Sequence, residues 1–351
     1  MSDIPRFFPW QEGLAKAWLG QRERFAHAWL IHGMAGIGKR QFALAAAASL
    51  LCEAPENGLA CGHCAACQWV ASGNHPDLRR IRPDAVAQEE GGDQPDESAA
   101  ESAASKKTAS KDIRVEQLRG LSTWFNTATH RGGWRVAVLY PAEALNAVSA
   151  NALLKVLEEP PEHTVFLLVV DAPDRILPTL VSRCRRLPLP VPSMAESTGW
   201  LAAQGLGDAT QWLAAAGGAP LRALSMRDAG ERACPAWLEQ FVLAAAQGGA
   251  PDIGALADSL EKDPPAGWID ALQRLFFDLS LAASSAPVRY FPALGDSTAR
   301  VAGAASPSSL AETGKWLMQQ RAVADHPLNT KLFVYSVLSH AAQACRPRRQ
   351  A

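Results

Sequence analysis

The sequence predicts an α/β domain built on a parallel sheet, followed by helical domains. Three observations predict it. A short apolar strand, Ala28-Trp29-Leu30-Ile31-His32, runs straight into a glycine-rich loop that ends in Lys39. Val165 to Val170 is an unbroken apolar run, as expected of a parallel strand buried on both faces. From about residue 230 to 343 apolar residues recur at helical spacing, as in Trp237, Phe241 and Ala245 or Ile269, Leu272, Leu275, Phe276 and Leu279, and strand signals are few. The 351 residues suffice for two or three domains, and 48% apolar content supplies a substantial core.

A net charge of −1 argues against a dedicated nucleic-acid binder with a large basic face. It leaves room for a small basic groove, or for a protein that meets DNA as part of an assembly. The N-terminus lacks a charged-then-apolar signal segment. No apolar run approaches the roughly eighteen residues of a membrane span. A soluble cytoplasmic protein is expected. Seven cysteines, four of them clustered, fit a reducing compartment with a metal site better than a disulfide framework.

Taken in order, Phe8-Pro9-Trp10-Gln11 opens the ordered part, and Leu14, Ala17, Trp18 and Leu19 carry a helical pattern. After the first strand comes Gly33-Met34-Ala35-Gly36-Ile37-Gly38-Lys39-Arg40, with a helix to follow. This is the context of a phosphate-binding loop. Gly33, Gly36 and Gly38 let backbone N–H groups turn inward, and Lys39 reaches terminal phosphates. The pattern wants Ser or Thr after the lysine to ligate Mg²⁺, and arginine cannot ligate a cation. With Arg40 there, the loop either binds ATP, ADP or bare phosphate without holding metal properly, or is a fold element that binds nothing.

Cys52, Cys61, Cys64 and Cys67 have the spacing C-x8-C-x2-C-x2-C. Four thiolates suit tetrahedral Zn²⁺, and four protein ligands leave no open position for water, so the zinc is expected to be structural. Gly58 and Gly62 free the chain to wrap. His63 sits between ligands and is expected to point away. The bland alternative is four reduced, free cysteines in a loop.

Residues 84–111 are rich in Ala, Ser, Glu, Asp and Lys, with Val86 the only large aliphatic; they read as a disordered acidic surface insert. Asp112 is a candidate cap for a helix carrying Ile113, Leu118, Leu121 and Phe125. Arg131-Gly132-Gly133 is a turn, and Arg135 to Tyr140 is the next strand. Ser149 is a candidate cap for a helix that presents Ala152, Leu153, Val156 and Leu157 on one face and stops at Pro160-Pro161. After the apolar run, Asp171-Ala172-Pro173 turns the chain. Pro178 opens a short helix that delivers Ser182-Arg183-Cys184. Leu187-Pro188-Leu189-Pro190-Val191-Pro192 is stiff and extended, a domain boundary. Gly217-Gly218-Ala219-Pro220 precedes a helix carrying Arg222.

Asn151-Ala152-Leu153-Leu154-Lys155-Val156-Leu157-Glu158-Glu159-Pro160-Pro161-Glu162-His163, then an apolar strand, then Ser-Arg-Cys, resembles the AAA+ subunits of bacterial clamp loaders. The resemblance is strong from Trp10 to about Pro190 and weak beyond, until His326-Pro327-Leu328-Asn329. It implies an N-terminal AAA+ domain (RecA-like, with the P-loop) over 1–190 with an inserted zinc module at about 52–67. A helical lid over 191–229 and a helical collar over 230–351 would follow. It implies that Arg183 is an arginine finger, inserted into the ATP site of a neighbouring subunit. There a planar, always-charged guanidinium can donate two parallel hydrogen bonds to the γ-phosphate oxygens. The bland alternative is that Arg183 caps a helix or pairs with a surface carboxylate. Arg222 matches the lid arginine called sensor 2, the alternative being a solvated helix arginine.

In a working AAA+ ATPase the strand at 135–140 ends with an acidic pair, one carboxylate for Mg²⁺ and one for the attacking water. This chain has Tyr140-Pro141 there, with Glu143 a few residues late. Together with Arg40 this is similar to a family member that keeps the finger and lacks a complete catalytic site. Such a subunit sits in a hetero-pentamer with γ/τ-type ATPase and δ-type subunits, which loads the sliding clamp on primed DNA for the replicative polymerase. By membership it belongs to a DNA-directed DNA polymerase holoenzyme, a nucleotidyltransferase, without ATPase or polymerase activity of its own. The competing readings are an active AAA+ motor subunit and, more distantly, a zinc-containing DNA-binding protein.

Overall fold

The computed structural model describes residues 4–21, 25–91, 109–125, 127, 129–130, 133–324 and 329–347. The chain divides into two compact units, Met1–Glu196 and Ser197–Ala351.

The first unit is a five-stranded sheet, β1 (Ala28–His32), β2 (Leu78–Ile81), β3 (Arg135–Leu139), β4 (Thr164–Val170) and β5 (Arg185–Pro188). The order is β2-β3-β4-β1-β5 and every pairing is parallel. Parallel neighbours need crossover connections, so helices cover both faces and the central strands are apolar except at their ends, Arg135, Thr164 and His32. The pleat divides their side chains between two cores. Trp29, Ile31, Val138, Leu167 and Val169 pack with α1 (Glu12–Leu19) and α2 (Lys39–Leu51). Leu30, Leu139, Phe166, Leu168 and Val170 pack with α5 (Val115–Phe125), α6 (Ala147–Glu158) and α7 (Pro178–Val181). Helices α3 (Ala65–Ala71) and α4 (Asp84–Glu89) flank β2 in sequence.

Register positions the site. His32 lies opposite both Val170 and Pro188, and Leu139 lies opposite both Leu168 and Ile81. The residues that follow β1, β3 and β4 therefore emerge along one edge: Gly33, Tyr140 and Asp171. This carboxyl edge is where open parallel sheets bind ligands.

Several expectations are corrected. The helix at 147–158 is capped by Asn146, whose side chain accepts the Ser149 N–H; Ser149 is inside the helix and fully buried. Asp112 caps nothing, because Ile113 bridges to Leu145 and the helix starts at Val115. The stretch 84–111 is not a disordered loop throughout: Asp84–Glu89 is helical, and its Asp84 pairs with Arg114 at 3.0 Å. The rest of that insert, 92–108, lies outside the described residues, as do Arg131, Gly132 and His326 to Leu328. Strands β2 and β5 were not expected. Each carries two arginines, tolerated because both are edge strands whose charged side chains reach solvent.

In the second unit the greater part of α8 (Met194–Ala203), with α9 (Ala209–Ala215) and α10 (Pro220–Asp228), encloses a small core around Leu201, Leu206 and Leu213. A larger core around Phe241, Leu272, Phe276, Leu310 and Leu338 belongs to α11 (Ala236–Ala246), α12 (Ile253–Leu260), α13 (Pro265–Ala283), α14 (Gly295–Ala304), α15 (Pro307–Val323) and α16 (Thr330–Ala344). Fully buried Asp278 on α13 accepts the backbone N–H groups of Arg289, Tyr290 and Phe291, which fixes the loop before α14. Among the described residues no helix is long and apolar enough to cross a membrane.

Candidate functional site

The glycine loop joins β1 to α2 as the sequence predicts. Gly33 and Gly38 admit no side chain: a Cβ at Gly33 would lie 2.7 Å from the Leu189 carbonyl oxygen, and one at Gly38, where φ is +91°, 2.6 Å from the Phe8 ring. Residues 8–11 thus lie directly on the loop. Trp10 Nε1 donates to the Ile37 carbonyl at 3.1 Å, and buried Gln11 donates to the Ile37 and Gly38 carbonyls at 3.0 Å each.

Lys39 turns inward and is only 4% exposed. Its ammonium donates to the carbonyls of Gly33 and Met34 at 2.6 Å each and pairs with Asp171 at 2.5 Å. An ammonium has three donors, so all are used within the chain. Glu143 does not supply the missing acidic pair. Its carboxylate accepts the N–H groups of Asp171 and Ala172, and so holds the end of β4 beside Lys39. His32 is close by, and burial, with the positive charges of Arg186 and Lys39, pulls its pKa below the ordinary value.

Arg40 and Tyr140, the two departures from the ATPase pattern, converge on a third residue. Arg40 Nη1 donates to Glu90 Oε1 at 2.9 Å, and the Tyr140 hydroxyl donates to Glu90 Oε2 at 2.9 Å. Arg82, buried, places Nε 2.9 Å from the same oxygen. Burial, opposed by Arg82 and reinforced by Glu90, raises the Tyr140 pKa far above its usual value, so the phenol stays a donor. Two guanidinium groups around one carboxylate repel a further cation, and a protonated phenol is a poor ligand for one. This donor set does not fit Mg²⁺.

The four cysteines come together. All four sulfurs lie within 4.8 Å of one another, with Cys52–Cys61 at 3.5 Å and Cys52–Cys64 and Cys61–Cys67 at 3.9 Å. A tetrahedron with metal–sulfur bonds of about 2.3 Å has edges of about 3.8 Å, so the cluster fits Zn²⁺. The N–H groups of Cys61, Cys64 and Cys67 point at the sulfurs of Cys52, Cys61 and Cys64, an arrangement that helps a thiolate, although burial holds the pKa of the Cys52 and Cys67 thiols above the ordinary value in the absence of metal. At Cys64 burial pushes the pKa up, but the N–H groups of Cys67 and Glu53 and the neighbouring thiols outweigh it and bring it to about 6. Gly58 and Gly62 turn the loop at positive φ, and His63 is exposed, facing the Cys61 carbonyl at 3.1 Å.

Arg183 stands on the turn after α7 with its side chain 36% exposed. Its Nη1 donates to the Thr179 carbonyl at 3.0 Å and its Nη2 to Glu158 Oε1 at 2.5 Å. Arg222, on α10 of the second unit, is exposed and lines a cleft of about 510 Å³ with Asp270, Gln273, Arg274 and Phe277. Sequence reasoning missed Glu90, Asp171 and Glu158. Asp171 was legible only as a turn residue, and the other two only as members of acidic stretches.

The sequence profile of the family described as "DNA polymerase III, delta subunit" matches residues 16–193. The chain is 43% identical over 202 residues to DNA polymerase III subunit delta' of Pseudomonas aeruginosa, covering 58% of this chain and 53% of the relative. It is 33% identical over 200 residues to the Escherichia coli subunit of the same name, covering 56% and 52%. It is also 33% identical over 161 residues to DNA polymerase III subunit tau of Escherichia coli, covering 46% and 21%. The matches span about half the length of the delta' relatives. Among solved structures, a gamma subunit-related protein of Thermotoga maritima is similar at 14% identity and a TM-score of 0.44, covering 95% of this chain and 99% of that one. The matched segment carries the glycine loop, the cysteine cluster and the Ser-Arg-Cys turn, and by that match the chain belongs to the DNA polymerase III delta subunit family.

Proposed function

We propose that this chain is a non-hydrolysing, delta'-like AAA+ subunit of a cytoplasmic DNA polymerase III clamp loader. In this reading it holds a structural zinc in its cysteine cluster and donates Arg183 to the ATP site of a neighbouring γ/τ-type subunit. A δ-type subunit completes the hetero-pentamer, which acts on the sliding clamp and primed DNA. The observation that carries the non-hydrolysing part is the convergence of Arg40 and Tyr140 on Glu90. Lys39, fully engaged by Gly33, Met34 and Asp171, supports it further. The finger is supported by the exposure of Arg183 on a turn whose neighbour Cys184 is buried. Phosphoryl transfer is accelerated roughly a thousandfold or more by a guanidinium supplied in trans, so one exposed arginine is enough to make a subunit without its own active site essential to turnover next door. The test is hydrolysis of magnesium-ATP by the isolated chain. No turnover is expected; turnover that Lys39→Ala abolishes would mean an active motor subunit instead.

A further inference from the structure

We infer that Glu158 is a positioning residue that parks Arg183 and restrains its use as a finger. The inference rests on the finger reading above. Glu158 is the last residue of α6, and Arg183 lies twenty-five residues on, beyond β4 and α7. Their contact is an ion pair at 2.5 Å between two partly exposed side chains, 36% for Arg183 and 51% for Glu158.

The backbone beneath Arg183 is fixed. The Arg183 N–H donates to the Leu180 carbonyl at 3.1 Å, and both Leu180 and Cys184 are buried in the core beneath. The guanidinium itself is held by two groups, the Thr179 carbonyl on Nη1 and Glu158 on Nη2. In that pose its two terminal nitrogens are engaged within the chain. Donors remain, since a guanidinium has five N–H groups, so Glu158 does not block a phosphate outright; it fixes the direction of the side chain and neutralises its charge, and a phosphate must compete with that contact.

Glu158 has reasons of its own to keep the arginine. A carboxylate at a helix C-terminus faces the negative end of the helix dipole. Glu159 follows at once and Glu162 is close behind, both exposed. Arg183 is the cation that offsets this acidic turn. Exposed pairs are weak, so the parked state is readily reversed when a phosphate competes. Removing the charge at 158 leaves the arginine held by neutral acceptors only, and more readily drawn to a phosphate.

The experiment uses the loader assembled from this chain with γ/τ-type and δ-type subunits, and reads ATP hydrolysis without clamp or DNA. Glu158→Gln is expected to raise that rate roughly two- to fivefold, the range a surface pair allows. Arg183→Ala is expected to lower it, and the double variant to match Arg183→Ala. Thermal melting of each chain checks folding, with Glu158→Ala as a second variant. A slower or unchanged rate in Glu158→Gln, with Arg183→Ala slow, overturns the parking role and leaves the finger standing. An unchanged rate in Arg183→Ala overturns the finger, and parking with it. A rise that persists in the double variant shows that Glu158 acts independently of Arg183, which also overturns the inference.

Discussion

Tyr140 donates its phenolic hydrogen to Glu90, 2.9 Å away, across fifty residues of sequence. Glu90 also accepts from Arg40 and sits against buried Arg82. One carboxylate thus gathers two guanidinium groups and a phenol at the carboxyl edge of the sheet. Glu90→Gln removes the charge and keeps the shape. It is expected to destabilise the first unit by about 1–3 kcal/mol, because Arg82 loses its anion in a buried place. Urea unfolding followed by tryptophan fluorescence checks this; an unchanged midpoint would show that the cluster contributes nothing.

Lys39 serves as an internal strut. Lys39→Met retains a long side chain but leaves the Gly33 and Met34 carbonyls and Asp171 without their donor. The expected loss is about 1–3 kcal/mol. Asp171 is 57% exposed and recovers solvation, which favours the lower half of that range. Equal stability of variant and parent, measured by urea unfolding without nucleotide, would mean that the inward pose is not maintained in solution.

The cysteine cluster predicts about one zinc per chain, released by chelation and absent from Cys64→Ser. The readouts are metal content by mass spectrometry and zinc released to a chromogenic chelator. Because α2, α3 and the loop at residues 52–64 meet at the cluster, its loss should expose the nearby backbone to hydrogen exchange while the sheet stays protected. Chain purified with no zinc, and unable to take it up under reducing conditions, would contradict this.

His32 lies at the end of β1, with Arg186 and Lys39 adding positive charge nearby and burial disfavouring the imidazolium. Its folded pKa is therefore below 6.5, the ordinary value. The unfolded state binds the proton more readily, so stability from this group is fully present above 6.5 and declines as the pH falls toward the folded pKa. NMR titration of His32 is expected to give a midpoint below 6.5, and His32→Gln to flatten the acid side of the stability profile. A midpoint above 6.5 would contradict the electrostatics described here.

The central strands were legible because both faces are buried and their interiors are apolar; Val165 to Val170 is all core. The edge strands were not, because Arg79, Arg80, Arg185 and Arg186 have solvent to point into and break the pattern. Cysteine spacing revealed the whole cluster, since local sequence forms it. The lock around the loop was half legible. Arg40 and Tyr140 were visible as departures from a pattern, but Glu90 stands in acidic sequence and finds its partners only through the fold. Arg183 stands in a recognisable Ser-Arg-Cys motif, but that motif gave no hint of its partner Glu158, which lies in the turn Glu158-Glu159-Pro160-Pro161.

The proposed role of Arg183 in trans is open to a single test. The most direct measurement is clamp- and DNA-stimulated ATP hydrolysis by the assembled loader, with wild-type chain and with Arg183→Ala, at matched assembly by gel filtration. An intact complex whose rate falls at least tenfold is expected, a conservative fraction of the roughly thousandfold effect of such fingers. An intact complex with an undiminished rate would contradict it, and would leave Arg183 as a surface arginine paired with Glu158.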